Sequence, residues 1–110
     1  MKAEKAKLIK IKKNLEKIDH SLVSLFHILA DYSRFHIFWL VVNFKDLCVS
    51  QIAEVSNITV SAASQHLRMM EMAGLVERVK KGQRTCFKIN EKNILVKDII
   101  KILKIAKSRN

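Results

Sequence analysis

The chain of 110 residues offers two cysteines, four histidines and a set of lysines and arginines as its chemically able side chains. Cys48 stands in "DLCVSQ", and Ser50 occupies the place two residues on where a second thiolate would complete a soft-metal pair. Cys86 lies between Arg84 and Lys88, positive surroundings that favour a thiolate at an exposed thiol. Three readings of Cys48 stay open: a small apolar residue that fills space, a redox- or sulfur-reactive thiol, and a metal ligand. Cys48 and Cys86 are therefore the candidate thiol sensors. The histidines supply no metal set. His20 and His27 are seven apart, about 10 Å along a helix, too far to share one ion. His27 with Asp31 reads equally well as a polar residue beside a helix cap. His36 reads as the edge of the core, and His66 as an outward helix residue rather than a ligand. No metal and no cofactor is expected. With neither a glycine-rich phosphate loop nor a nucleophile–base constellation, no enzyme is expected either.

A different chemistry is written in "TVSAASQHLRMMEMA". Ala63, Leu67 and Met70 make an apolar stripe at helical spacing, and the opposite face shows Val60, Ser61, Ser64, Gln65 and Arg68. Gln suits adenine, Arg suits guanine, and Ser is permissive. Thr59 is the expected cap. Downstream, Lys80, Lys81, Gln83 and Arg84 surround Gly82, where a hairpin tip would meet phosphate or the minor groove.

The charge agrees with a polyanion partner. The net charge is +11, made up of +4 over residues 1–20, −1 over 21–75 and +8 over 76–110. Basic surfaces at both ends read first as nucleic-acid-binding, with lysine-rich solvated helix faces as the alternative, and the groove-facing helix makes double-stranded DNA the expected partner. No long uncharged apolar run suits a membrane span, and the N-terminus lacks the apolar middle of an export signal. A cytoplasmic protein with reduced thiols is the expectation.

The elements that must position these residues follow from periodicity. Pro is absent and Gly occurs twice, so most of the chain should be helix. Apolar residues at Leu8, Ile11, Leu15, Ile18, Leu22, Leu25 and Leu29 form a heptad seam, in one helix or in two parted at Asp19 or Ser21. Val23, Phe26 and Ile28 widen it toward the core. Asp31 or Ser33 should cap a second helix with Ile37, Phe38, Leu40 and Val41 inside. A short helix over 49–55 and a tight turn lead to the helix that Thr59 caps, and Gly74 ends that helix. A two-stranded hairpin turns at Gly82. Asn90 or Asn93 caps a final helix whose stripe is Leu95, Ile99, Ile102 and Ala106. Its wide apolar arc suggests a subunit interface.

Helix, tight turn, helix and basic hairpin make a winged helix-turn-helix, mainly α with a small β-hairpin. "LADYSRFHIF", "DLCVSQIAEVSNITVSAASQHLRMMEMAGLV" and "KKGQRTCFKI" stand in the order and spacing of the ArsR/SmtB family of winged-helix repressors, which residues 22–107 resemble. The resemblance implies a homodimer built on its N- and C-terminal helices that binds inverted repeats and leaves DNA when an effector binds. By matched position it implies a recognition helix of Ser61, Ser64, Gln65, His66 and Arg68 and a wing of Lys80, Lys81 and Arg84, to which the reading of the residues adds Thr59, Val60 and Gln83. The two apolar seams read from spacing, Leu8, Ile11, Leu15, Ile18 and Leu22 at one end and Leu95, Ile99, Ile102 and Ala106 at the other, suit that dimer face, although the first seventeen residues have no counterpart in the family.

Tyr32 stands where the family has Pro, Val60 where a polar residue is common, and Cys86 where an aromatic is common. Metal sensors of the family have a box resembling "ELCVCD", and of its two thiolates this chain keeps only Cys48. The zinc site of the last helix is missing too, since that helix carries no His. The expected function is a sequence-specific repressor lacking the usual metal sites. The alternatives are a winged-helix module for protein or non-specific nucleic acid, and a redox-sensing repressor using Cys48. Residues 1–18 read as a basic amphipathic helical extension and 19–110 as the DNA-binding and dimerisation domain.

Overall fold

The computed structural model describes residues 1–109, with side chains through residue 104. Among the described residues six helices and three short strands follow in the order α1 (Lys2–Leu15), α2 (His20–Leu29), α3 (Tyr32–Asn43), β1 (Leu47–Cys48), α4 (Val49–Ser56), α5 (Val60–Met72), β2 (Val76–Lys81), β3 (Arg84–Ile89) and α6 (Ile94–Arg109).

The N-terminal seam is two helices. Asp19 breaks it: its Oδ1 accepts from the Ser21 N–H at 2.9 Å, starting α2 afresh. Asp31 does the same for α3, where Oδ2 accepts from the Arg34 N–H at 3.0 Å. The Arg34 Nε–H then donates to the Ile28 carbonyl at 2.8 Å, so one residue ties the end of α2 to the start of α3.

The core gathers Leu25 and Ile28 of α2, Ile37, Phe38 and Val41 of α3, Ile52 and Ala53 of α4, and Ala63, Leu67 and Met70 of α5. Leu75, Val76, Phe87 and Val96 close it. Several expectations need correction. Val23 and Phe26 were expected inward but are 54% and 59% exposed, because the turn after Ile18 re-aims α2 so that Leu25 and Ile28, with Leu29 partly buried beside them, face the core. Leu40 is only half-buried. In α6 Val96 is the buried residue, Leu95 and Ile99 pack partly against the core, and Ile102 of the stripe expected at a subunit interface is exposed in the single chain. Ala106 lies outside the residues whose side chains are described.

The sheet has three strands where two were expected. Its order is β1-β3-β2, both pairings antiparallel. β2 and β3 pair from Val76↔Ile89 to Lys81↔Arg84 around a two-residue turn led by Gly82 at φ +61°. A glycine in the first turn position suits the twist of a hairpin. β1 adds Leu47↔Phe87 and Cys48↔Cys86 on the other edge of β3.

α1 is different in kind. None of its residues is buried. The radius of gyration is 18.3 Å and the long axis spans 66 Å, whereas a compact chain of this length has a radius near about 13 Å. α1 stands off the body.

Candidate nucleic-acid interface

The helix-turn-helix is held by local bonds at every joint. The Gln51 side chain accepts from the Cys48 N–H at 2.9 Å, closing the start of α4. α4 ends at Asn57 in the left-handed conformation, φ +55°, with its N–H on the Glu54 carbonyl at 3.2 Å and that of Ile58 on Ala53 at 3.0 Å. Asn tolerates that conformation better than most residues. Thr59 Oγ1 then accepts from the Ala62 N–H at 3.0 Å, which starts α5. Gly74 at φ +78° ends α5, and the Leu75 N–H returns to the Met70 carbonyl at 2.9 Å.

These joints fix the rotation of α5. Ala63, Leu67 and Met70 are wholly buried, so the other side must face outward. Val60, Ser61, Ser64, Gln65 and Arg68 are all exposed there, with Thr59 at the leading end. His66 is half-buried beside this face rather than on it, and its charge acts on Asp31 of α3. Lys80, Lys81, Gln83 and Arg84 are exposed at the hairpin tip. The structure therefore presents the helix residues and the wing residues as two separate exposed groups, with a cleft of about 210 Å3 between them lined by Ser64, Arg68, Arg78 and Thr85.

The cations are not equivalent. Arg78 grips Glu71 of α5 through two bonds, 3.1 and 3.3 Å, and lies 5.5 Å over the Phe87 ring. It is a strut between α5 and the sheet, a role that strand alternation opposite Phe87 could have suggested. Lys81 pairs with Asp46 at 2.9 Å, which partly neutralises a residue expected to meet phosphate. Arg68, Lys80 and Arg84 enter no ion pair among the described residues. Asn90 and Asn93 both donate to the Gly74 carbonyl, each at 3.0 Å, and bind the end of α5 to the start of α6.

The expectation of two reduced thiols is overturned. Cys48 and Cys86 form a disulfide, brought together because β1 places them directly opposite on β3. Cys86 is wholly buried, so its neighbours Arg84 and Lys88 do not expose a thiolate. His36 is exposed and packs at a tilt against Tyr32, with ring centres 4.6 Å apart, rather than edging the core. Among the described residues no three His, Cys, Asp or Glu side chains gather to hold a metal ion. No single described helix is long and apolar enough to cross a membrane.

Residues 40–78 match a family described as "Bacterial regulatory protein, arsR family". The cadmium resistance transcriptional regulatory protein CadC of Listeria innocua is 31% identical over 97 residues, covering 87% of this chain and 80% of that protein. Among solved structures, the transcriptional repressor PagR of Bacillus anthracis is 30% identical, covers 76% of this chain and 93% of its own, and superposes with a TM-score of 0.65. The homodimeric winged helix-turn-helix DNA-binding domain Mb0332 of Mycobacterium bovis shares the fold, at 21% identity and a TM-score of 0.69 over 83% of this chain and 82% of that one.

Proposed function

The chain belongs to the ArsR family of bacterial transcriptional regulators with a winged helix-turn-helix, and from that premise we propose that it is a homodimeric repressor reading an inverted repeat. The observation that carries the reading is a pair of exposed surfaces of opposite character. One is the polar and basic face of α5 with the wing. The other is apolar: Leu8, Ile11, Leu15 and Ile18 around α1, with Val23 and Phe26 on α2 and Ile102 on α6.

In this reading Thr59, Val60, Ser61, Ser64, Gln65 and Arg68 enter the major groove, His66 supports that face from behind, and Lys80, Gln83 and Arg84 hold phosphate. Lys81 contributes less because Asp46 shares its charge. The Val60 methyls suit a thymine methyl. The second copy covers the apolar surface, and residues 1–18 lengthen that dimer arm. A similar protein is a repressor and another is homodimeric, which supports both parts.

Loss of metal response belongs to the same reading. Soft ions take three or four thiolates. Here Ser50 replaces one, and the Cys48 sulfur is committed to Cys86. CadC, a cadmium resistance regulator, is the contrast.

The test has two parts. Light scattering at micromolar concentration should give twice the chain mass. Footprinting on duplex selected from a random pool should show two protected half-sites with centres about 34 Å apart. A monomer, or equal affinity for selected and scrambled duplex, would sink the proposal and favour a non-specific binding module. Cadmium, arsenite or zinc should leave the complex intact.

A further inference from the structure

We propose that Cys48–Cys86 is a reversible thiol–disulfide exchange site, reached by small dithiols through a cleft beside α4, and that its oxidation state sets the affinity for DNA. The second half rests on the DNA-binding reading above; the first half does not.

The position of the pair carries the inference. The bonded residues are 38 apart and enclose α4, α5 and β2, the whole helix-turn-helix with the first strand of the wing. Cys48 is the residue from which α4 starts. Cys86 lies in the middle of β3, two residues from Arg84 at the wing tip. The bond thus clamps the base of the reading unit to the strand that carries the wing. Beyond the packing of Ile52 and Ala53 with Phe87 in the core, the other ties across that joint are slight. β1 has only two residues, and the Asp46–Lys81 pair is exposed to solvent.

Cys48 and Cys86 are both buried, at 3% and 0% exposed, and Cys48 is the one that borders a cleft, of about 290 Å3, shared with Ser50, Val60, Ser64 and Arg84. An incoming thiolate therefore reaches Cys48 Sγ first, when that cleft opens. The thiolate of a dithiol attacks it, the S–S bond breaks, and Cys86 leaves as a thiolate that takes up a proton. The reductant's second thiol then displaces Cys48 from the mixed disulfide. The reductant ends as its own disulfide, and the protein has gained two electrons and two protons. A small-molecule disulfide runs the sequence backwards.

Reduction changes the space the pair needs. Unbonded sulfurs sit roughly 1.5 Å further apart than bonded ones. Both sites are buried, so the backbone must take up the difference, and the two-residue β1 is the side that yields. The walls of the Cys48 cleft are Val60 and Ser64 of α5 on one side and Arg84 on the other, so the motion shifts the helix against the wing. The oxidised form is the one held ready for DNA, because the clamp removes freedom that binding would otherwise have to remove.

Fluorescence anisotropy with duplex selected by the oxidised protein should show about five- to tenfold weaker binding after reduction with dithiothreitol. The Cys48→Ala/Cys86→Ala double variant should bind alike with and without reductant. By linkage, saturating DNA should make the disulfide harder to reduce by the same factor, read by alkylation and mass spectrometry in glutathione buffers. Equal affinity of both wild-type states within about twofold, a redox response retained by the double variant, or a pair that dithiothreitol leaves intact would each overturn the proposal. If neither state binds any duplex, the DNA reading fails, and hydrogen exchange decides the exchange site. Protection at the start of α4 and along β3 should fall on reduction, and unchanged protection would overturn it.

Discussion

Helices α1 and α5 are of nearly equal length, 14 and 13 residues, and both carry apolar residues at spacings of three and four. α5 buries its stripe completely at Ala63, Leu67 and Met70, while α1 buries nothing and leaves Leu8, Ile11 and Leu15 about half exposed. Sequence periodicity describes which face is apolar, not what covers it. For α5 the cover is supplied locally: caps, a left-handed Asn57 and Gly74 bend the chain so that α3, α4 and β2 close over the stripe. No such bend returns α1 to the body. Its apolar side has meaning only if another surface arrives.

The sharpest way to break this contrast is a matched pair of truncations. Leu67→Ala should cost about 2–5 kcal/mol by leaving a cavity in the core, with the same loss at every protein concentration. Leu15→Ala should cost little in dilute solution, and its penalty should grow with concentration, because the contacts it removes form only between copies. Urea unfolding at two concentrations tells them apart. A concentration-independent loss at Leu15 would mean that α1 packs within its own chain.

The exposed face of α5 and the wing offer the next contrast. Arg68→Ala should cost about 1–3 kcal/mol on the selected duplex and relax discrimination against scrambled sequence. Lys80→Ala should weaken both duplexes alike and reduce the salt slope by about one. Lys81→Ala should do less than Lys80→Ala, since Asp46 already engages that ammonium. Equal effects at Lys80 and Lys81 would show that the Asp46 pair does not survive in the complex.

How far the sequence could be read follows from the range of each interaction. The stripe of α5, the Thr59 cap and the two glycine turns depend on neighbours within a few residues, and all of these were legible. The break after Ile18 was half-legible, because Asp19 and Ser21 are both acceptable caps and only geometry chooses between them. β1 was not legible: two residues have no periodicity to detect. The Cys48–Cys86 bond was hidden for the same reason, since only that strand brings together residues so far apart. Arg78 was missed because its ion-pair partner, Glu71, lies on another element, although its place opposite Phe87 in the hairpin could be read. In the candidate interface the outward residues of α5 could be listed from spacing alone, but the neutralisation of Lys81 and the retreat of His66 could not.

A glycine at the joint between α5 and the sheet gives a smaller effect. Gly74→Ala should cost about 1–2 kcal/mol, because φ is +78° there and an L side chain pays for that conformation. The added Cβ would also stand 3.4 Å from Asn93 Nδ2, one of the two amides that hold the Gly74 carbonyl. Gly82→Ala, whose Cβ meets nothing within 4 Å at φ +61°, isolates the backbone part. A larger loss at Gly74 than at Gly82 would show that the amide clamp matters.

The smallest effect is a pH dependence at the cap of α3. The Arg34 backbone N–H holds the Asp31 carboxyl below the usual carboxylate range; partial burial opposes this, and the charges of Arg34 and His66 assist. A carboxyl depressed in the folded state stabilises the fold above its unfolded value, near about 3.9, and that contribution disappears as pH falls through the folded value. Asp31→Asn keeps a capping oxygen but cannot titrate. Urea midpoints near neutral pH and near about pH 3 should therefore fall less steeply with acid for the Asn variant than for the parent. Because His66 lies against the reading face of α5, the acid loss at Asp31 should also appear in hydrogen exchange where α3 meets α5. Parallel acid limbs for the two proteins would show that Asp31 caps α3 by shape alone and that its charge contributes nothing to the joint.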